Sequence, residues 1–389
     1  MTEDTIHLRL KKLEMRSLIA GVIFMALVLV GACVDIHQFF ISYLFAYLFW
    51  LGLALGCLGF LMTHHLTGGR WGFPVRRFYE AAAMTLPLMA LLFIPICFGL
   101  RHLYLWTNPH IVAADPVLQH RSHYMTISLF IIRAAVFFIF WSIAAVVLNR
   151  LSLRQDTTQD VEPTRKLRTL SGPGILLYPV TATFVLVDWV LSLEPDWFST
   201  MFLVLIVIGQ MLSGLAFSII LLAWLHRKQP LAAVVNSTTF HHLGMLLFAF
   251  IMLWTYLAFS QLLIIYSGNL PHEIVWYEHR VAGDWKVVVW FIILFHFAVP
   301  FFLLLSRSFK KNARILATFA AIVLFAHIVD VYWLVEPSFS HGGVHLHWLD
   351  FAATIGLGGI WLAAFASRLN AHPLLVRNDP RQEEAIHGK

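Results

Sequence analysis

The chain has 389 residues, of which 59% are hydrophobic and only 12% are charged, and its formal net charge is +6. A soluble domain carries about a quarter charged residues, so this chain lacks the polar side chains to cover itself in water. The composition excludes a soluble enzyme, a disordered protein and a nucleic-acid-binding domain. It predicts an integral membrane protein instead.

The hydrophobic residues are grouped into segments of membrane-spanning length. A spanning helix needs about 20 mostly apolar residues, and ten segments qualify: 17–37, 39–63, 78–100, 123–148, 171–193, 199–225, 240–266, 285–305, 313–335 and 347–368. Of the 27 lysines and arginines, 22 fall in the two tails and the even-numbered loops, counting Arg314 and Arg368 at the adjoining span ends, and three in the odd-numbered loops. Because positive charge stays inside, we expect both termini to be cytoplasmic.

The sequence also contains an internal repeat. Residues 188–195 in helix five and 330–337 in helix nine both read D-x5-E-P, and residues 133–138 of helix four resemble 296–301 of helix eight. Repeats in the same orientation are typical of pseudo-symmetric membrane proteins. The predicted fold is therefore an all-α integral membrane protein with ten transmembrane helices. Two parallel four-helix bundles, helices 2–5 and 6–9, are flanked by helices 1 and 10.

This repeat sets the predicted organisation of the chain. Gly56 of helix two also matches Gly214 of helix six, and the glycines of helices two and ten favour close helix contacts. The predicted units are a cytoplasmic tail (1–16), helix one (17–38), the first four-helix bundle (39–198), the second bundle (199–337), helix ten (338–369) and a cytoplasmic tail (370–389).

Ionisable side chains inside the spans are the candidate functional residues. Each charge in a span costs on the order of 2.5–3.5 kcal/mol, so such residues usually mark a pathway or a partner. The candidates are Glu80, Arg133 and Asp188 in the first unit, and His241, His242, His296, His327 and Asp330 in the second. In each unit, the expected order across the membrane is a titratable group toward the cytoplasm, a cation or imidazole midway, and an acid toward the other side. This order predicts a path for protons.

A structural role for the same residues stays open at this point. Arg133 with Asp188, and a histidine with Asp330, are alternatively interhelical pairs that only hold the helices in register. His327 and Asp330 are three residues apart, so they share a helical face and can pair.

No metal site and no covalently bound cofactor is predicted. The cysteines, Cys33, Cys57 and Cys97, are far apart in apolar runs, and no C-x-x-C motif exists for an iron–sulfur cluster or a c-type haem. His296 and His327 lie at one predicted depth, as the ligands of a b-type haem would, but no second histidine pair is evident. We therefore expect no haem.

Several motifs carry a resemblance to a known family. They are DWVLSLEPDWFSTMF (188–202), LLFAF (246–250), AFSQ (258–261), NLP (269–271), WY (276–277), His296 with Pro300, LSR (305–307), the stretch 327–333, HPLL (372–375) and DPR (379–381). These motifs resemble the second polytopic subunit of alternative complex III, also called ActF or quinone-binding subunit 2 of quinol:cytochrome c oxidoreductase. That subunit belongs to the NrfD-like superfamily of polysulfide reductase membrane subunits.

The resemblance implies a multi-pass subunit of a respiratory complex in the bacterial inner membrane. The implied partners are an iron–sulfur/molybdopterin-like subunit, multihaem and monohaem c-type cytochromes and a sister NrfD-like subunit. The haem groups and iron–sulfur clusters would lie on those partners. The complex would oxidise a membrane quinol and reduce a cytochrome c.

The resemblance also implies a role for individual residues. In such complexes the sister subunit is the better candidate for the quinol site, and this chain would supply proton half-channels. The residues carried over are Glu80, Arg133, Asp188, His296, His327 and Asp330. The chain departs from the family at the start of helix seven, where an acid and a lysine are expected but His242 and Met245 stand.

The expected role is thus a non-catalytic or quinone-binding subunit of an oxidoreductase, with quinol as the one small molecule it would meet. No catalytic or quinone-binding residue is assigned. Two alternatives remain open. One is a stand-alone secondary transporter with parallel repeats. The other is the quinol-oxidising site itself, with Asp188, His327 and Asp330 at a suitable depth.

Overall fold

A computed structural model describes residues 4–340 and 343–379, and this part of the chain is helical with no β-strand. Ten of its helices are long and apolar enough to cross a membrane. They are α1 (Ile6–Val34), α2 (Ile36–Thr67), α3 (Arg76–Phe98), α4 (Ile127–Thr157), α5 (Glu162–Leu193), α6 (Thr200–Leu225), α7 (Ser237–Gly268), α8 (Trp285–Leu304), α9 (Ala313–Ser338) and α10 (Trp348–Asn370). The predicted all-α membrane class and the ten spans are confirmed.

Several helices are longer than the predicted spans. α4 continues to Thr157 and α5 begins at Glu162, whereas the apolar segments were bounded at 148 and 171. Residues 6–16 of the predicted tail belong to α1, with Ile6 and Leu10 fully buried. Hydropathy marks only the part of a helix that lies in hydrocarbon, and helices continue into the polar interface where side chains remain solvated.

The start of α1 and the end of α10 lie at the same face of the helical bundle. Nδ1 of His7, near the start of α1, is 2.7 Å from Oδ1 of Asn370 at the end of α10. We call this side the terminal face and the other side the opposite face. The assignment of the terminal face to the cytoplasm stays a prediction, and residues 1–3 and 380–389 of the predicted tails lie outside the described residues.

The two predicted four-helix units have the same pattern of neighbours. In the first, α2 and α4 each contact α3 and α5; in the second, α6 and α8 each contact α7 and α9. α2 also packs along α6, and α1 packs along α10. This shared pattern favours the predicted division into two units.

α2 and α6 approach most closely at the glycines that the repeat pairs. A Cβ atom on Gly56 would lie 1.8 Å from the carbonyl oxygen of Gln210, and one on Gly214 would lie 2.9 Å from the amide nitrogen of Cys57. The equivalent glycines of the two units thus face each other, as a pseudo-two-fold axis between α2 and α6 requires. Small residues at such crossings allow the backbones to touch.

Replacing Gly56 by alanine is expected to destabilise the whole protein, because the new methyl group would overlap backbone atoms of α6. Overpacking costs typically 1–3 kcal/mol, and occasionally more. The measurement is the thermal unfolding midpoint in detergent, followed by size-exclusion chromatography. Gly172→Ala in α5 is the matched control, since a Cβ there meets no atom within 4 Å. Equal midpoints for the two variants would contradict the close crossing.

Two helices depart from regular geometry. α3 consists of three helical segments, and the second and third segments, Leu86–Leu92 and Ile94–Phe98, carry Pro87 and Pro95 in their first turns. α8 contains a π-helical turn, Ile293–Ala298, shortly before Pro300. A proline removes a backbone donor and crowds the preceding turn, which explains both irregularities. α7, the counterpart of α3 in order, is continuous, so the paired helix breaks typical of repeat transporters are not found in α3 and α7.

Candidate functional site

The structure sorts the predicted site residues into separate groups rather than two continuous ladders. One is an Arg–Asp pair in the first unit, one is a His–His–Asp centre in the second, and one is an ion-pair network at the terminal face. These groups contain, in that order, Arg133 and Asp188; His296, His327 and Asp330; and Glu80. His241 and His242 belong to none of them.

Arg133 of α4 and Asp188 of α5 form a closed ion pair. Nε of Arg133 lies 2.7 Å from Oδ2 of Asp188, and Nη2 lies 2.9 Å from Oδ1. Nη1 donates to the carbonyl oxygen of Tyr124 at 3.1 Å, and the guanidinium lies 3.9 Å from the centre of the Tyr124 ring. Bidentate pairs of this kind are the strong ones. The predicted pairing is confirmed, and it uses both carboxylate oxygens.

Tyr124 lies outside the spanning helices and forms one side of this pair. Burial of its ring, together with the negative charge of Asp188, raises the pKa of Tyr124 to about 12. The phenol therefore stays neutral at physiological pH. It covers Arg133 with an aromatic face and adds no charge to the pair.

The second unit places His296 where the repeat has Arg133. His296 lies in the π-helical turn of α8, is fully buried and packs edge-on against Trp254 of α7, with ring centres 4.0 Å apart. Neither of its ring nitrogens has a hydrogen-bond partner among the described residues. π-helical turns inside α-helices are frequent at functional sites. In this wider turn, both ring nitrogens of the His296 imidazole are free to form hydrogen bonds.

His327 and Asp330 of α9 complete this centre. The His327 ring stacks on the His296 ring with centres 5.8 Å apart, and its Nδ1 lies 3.5 Å from Oδ2 of Asp330. That distance is within ion-pair range but at the upper limit of a hydrogen bond. Gly209 of α6 makes room for the ring, because a Cβ there would lie 2.8 Å from Cε1 of His327. We call His296, His327 and Asp330 the histidine–aspartate centre.

The two units therefore differ in chemistry at equivalent positions. Asp188 and Asp330 match in the repeat, but the first has a permanent cation beside it and the second has an imidazole. The residue that matches His327 in the first unit is Val185. A guanidinium does not lose its proton in proteins, whereas an imidazole gains and loses one near neutral pH. At these equivalent positions, the second unit holds groups suited to proton transfer, whereas the first holds an ion pair.

A cavity of about 630 Å³ lies beside this centre. Its walls come from α6, α7, α8, α9 and the short helix Pro271–Val281 at the opposite face. Most of its lining is apolar or aromatic, and the hydrophilic side chains that line it include His327, Asp330 and Gln261. Pockets of roughly 300–1,000 Å³ with a few polar groups are typical of small-molecule sites. The histidine–aspartate centre is thus accessible from a cavity.

Arg280 supports the wall of this cavity at the opposite face. Its Nη1 donates to Oε1 of Glu194 at 2.6 Å, its Nη2 donates to Oγ of Ser338 at 2.9 Å, and its guanidinium stacks 4.0 Å from the ring centre of Trp276. Burial lowers the pKa of Arg280, and the charge of Glu194 opposes that shift. The pair ties the ends of α5 and α9 to the helix that carries Trp276.

Glu80 occupies a network at the terminal face. It accepts hydrogen bonds from Nε of Arg76 at 2.9 Å, from Nη1 of Arg77 at 2.5 Å and from Oγ of Ser152 at 2.6 Å. Arg76 also binds Asp379 of the C-terminal segment at 2.9 Å. With these partners, the geometry favours a structural role for Glu80 over the predicted entry of a proton path.

His241 and His242 lie near the start of α7, beside the short helix Arg307–Lys311. Trp254, the α7 residue that touches His296, lies 12 residues further along the helix. At 1.5 Å per residue this is about 18 Å. The described side chains therefore do not connect these two histidines to the histidine–aspartate centre by direct contact.

Sequence reasoning missed Gln261, Trp254 and Arg280. Gln261 carried a usable signal, because an amide in an otherwise apolar span is costly in hydrocarbon. Trp254 carried none, since an aromatic residue in a span usually packs against neighbours. Arg280 stands in a polar connection, and only the packing of the Pro271–Val281 helix buries it.

Comparisons with known proteins do not assign this chain to a family. No model of a protein family matches the sequence, and no curated protein matches it. Within residues 4–340 and 343–379, no group of three or more His, Cys, Asp and Glu side chains is placed to hold a metal ion.

Proposed function

We propose that this chain is a membrane subunit of a bacterial respiratory quinol:cytochrome c oxidoreductase of the alternative complex III type, and that its second four-helix unit transfers protons. The proposal rests on the histidine–aspartate centre, which is a set of titratable side chains buried between helices beside a cavity. The motifs that resemble the ActF subunit supply the identity of the complex.

The chemistry of this centre suits proton transfer. Asp330 and His327 line the cavity, and His296 stacks behind His327 against Trp254. A proton released in the cavity meets a carboxylate and an imidazole at the wall, and His296 extends the path one ring deeper.

In this proposal the chain conducts protons and the partner subunits conduct electrons. The iron–sulfur/molybdopterin-like subunit and the c-type cytochromes would hold the redox centres, and the sister NrfD-like subunit would lie beside this chain in the membrane. The Arg133–Asp188 pair of the first unit holds α4 and α5 together. The proposed location is the inner membrane, with the terminal face toward the cytoplasm.

The proposal is tested by purifying the tagged chain from its native membrane in a mild detergent and identifying co-purifying proteins by mass spectrometry. We expect a multihaem cytochrome, an iron–sulfur subunit and a second polytopic subunit in stoichiometric amounts. An unrelated multi-pass protein with the same tag is the control. Recovery of the chain alone or as a homo-oligomer would contradict the proposal and favour a stand-alone transporter.

A further inference from the structure

We propose that a basic cluster at the terminal-face end of α7 binds the phosphate of an anionic phospholipid, whose acyl chains lie against α7 and α8. The cluster consists of His241 and His242 of α7 and of Arg307, Lys310 and Lys311 of the short helix that follows α8. The two histidines are the predicted site residues that lie apart from the histidine–aspartate centre. The lipid site does not depend on the proposed respiratory role of the chain.

The five side chains of the basic cluster share one positively charged surface. The charges of Arg307, Lys310 and Lys311 all act on the ring of His241, and the ring centres of His241 and His242 are 6.1 Å apart. Arg307 and Lys311 are exposed, so an anion can reach them. Closely spaced charges of one sign create a strong local potential that attracts ions of the other sign.

No acidic residue of the second unit balances this charge at the terminal face. The sequence has no aspartate or glutamate between Asp196 and Glu273, and none between Asp284 and Asp330. Among the described residues, none of the three permanent cations of the cluster forms an ion pair. Neighbouring like charges repel one another, so the basic cluster favours an anion from outside the chain.

The first unit, in contrast, balances cations at the same face with its own acids. Nη1 of Arg77 lies 2.5 Å from Oε2 of Glu80, Arg77 also pairs with Asp156, and Nζ of Lys166 lies 2.6 Å from Oε1 of Glu162. An excess of lysine and arginine on the cytoplasmic side is general in membrane proteins, but it does not require that acids be absent. The unbalanced cluster is therefore a feature of the second unit.

Lys310 is held at the boundary of the membrane-spanning part of α7. Its stem crosses α7 at Gly244, where a Cβ atom would lie 2.9 Å from Cγ of Lys310. Its Nζ lies 5.6 Å from the centre of the Phe248 ring, about one turn further into the span. An ammonium group is attracted to an aromatic face. The charge of Lys310 therefore lies beside the apolar part of α7 instead of extending away from it.

Exposed apolar side chains adjoin the basic cluster. Met245 of α7 is 50% exposed, and Phe302 and Leu305 of α8 are 67% and 55% exposed. Such side chains of spanning helices pack against lipid tails. A phospholipid matches this arrangement because its phosphate and its acyl chains are joined through one glycerol, and basic pockets between spanning helices bind anionic head groups. An acidic polypeptide would match the charges but not the adjoining apolar side chains.

The test is native mass spectrometry of the protein as purified from its membrane in a mild detergent, with added phosphatidylglycerol or phosphatidylcholine of the same acyl chains. We expect preferential binding of phosphatidylglycerol. The variant Arg307→Gln/Lys310→Gln/Lys311→Gln is expected to weaken that binding roughly 100-fold and to leave phosphatidylcholine binding unchanged. The matched control removes three exposed cations from the first unit at the same face and should keep the preference; it is Arg165→Gln/Lys166→Gln/Arg168→Gln.

Gly244→Ala separates a defined site from attraction by net charge, because it keeps every charge and displaces the stem of Lys310. We expect weaker binding of phosphatidylglycerol in this variant, and unchanged binding would overturn the inference. Equal affinity for the two lipids, or equal losses in the two triple variants, would do the same. Inorganic phosphate bound as tightly as phosphatidylglycerol would assign the cluster to a free anion. A polypeptide that co-purifies with the wild type but not with the cluster variant, without lipid preference, would assign it to an acidic protein. Either result would overturn the lipid site.

Discussion

Replacing Arg133 by leucine is expected to prevent accumulation of the folded chain. The substitution leaves the Asp188 carboxylate, only 2% exposed, buried without the guanidinium that occupies both of its oxygens. Breaking a buried ion pair by removing one partner costs about 3–5 kcal/mol, a large part of the 5–15 kcal/mol that typically stabilises a protein. The measurements are the yield of monodisperse protein in detergent and its thermal unfolding midpoint.

The double variant Arg133→Leu/Asp188→Leu separates loss of the pair from loss of packing. Replacing a whole buried pair by apolar residues of similar volume is often neutral or stabilising, so we expect the double variant to recover most of the yield. A single variant that unfolds at the wild-type temperature would show that the pair contributes little. A double variant as poor as the single one would assign the loss to volume rather than charge.

Replacing Asp330 by asparagine is expected to leave yield and unfolding temperature near those of the wild type and to lower quinol:cytochrome c turnover by roughly 100-fold or more. No arginine or lysine forms an ion pair with Asp330 in the described part of the chain, so asparagine strands no permanent charge. General acid–base groups contribute roughly 10²–10⁴-fold to the steps they serve. The assay measures turnover and protons released per electron in the purified complex.

Two companion variants sharpen this test. Asp330→Glu keeps a carboxylate and should retain part of the turnover. His296→Phe keeps the edge-on contact with Trp254 but removes both ring nitrogens, and should lower proton release without loss of the folded complex. Unchanged turnover and proton release in all three would make the histidine–aspartate centre a structural contact. Asp188→Asn, at the equivalent position of the first unit, should instead reduce yield.

The sequence alone was sufficient for the membrane class and the ten spans, and it offered the Arg133–Asp188 pair as one of two alternatives. Exposing backbone polar groups and charges to hydrocarbon costs so much free energy that spanning segments must be long, apolar and nearly free of charge, and this pattern is visible in the sequence. A lone arginine and a lone aspartate in neighbouring spans have few ways to avoid that cost other than to meet. His327 and Asp330 share a helical face for the same local reason, since three residues make nearly one turn.

Only the tertiary structure shows which polar side chains are enclosed in hydrogen-bond networks and which lie beside a cavity. Glu80 is enclosed because Ser152, 72 residues later, and the arginines of its own helix all donate hydrogen bonds to its carboxylate. His241 is separated from His296 because each helix adds a fixed rise per residue and the two histidines lie at different depths. The cavity beside the histidine–aspartate centre arises from the packing of several helices. Spacing along one helix predicts its faces, but contacts between distant segments depend on how those helices are rotated and placed against one another.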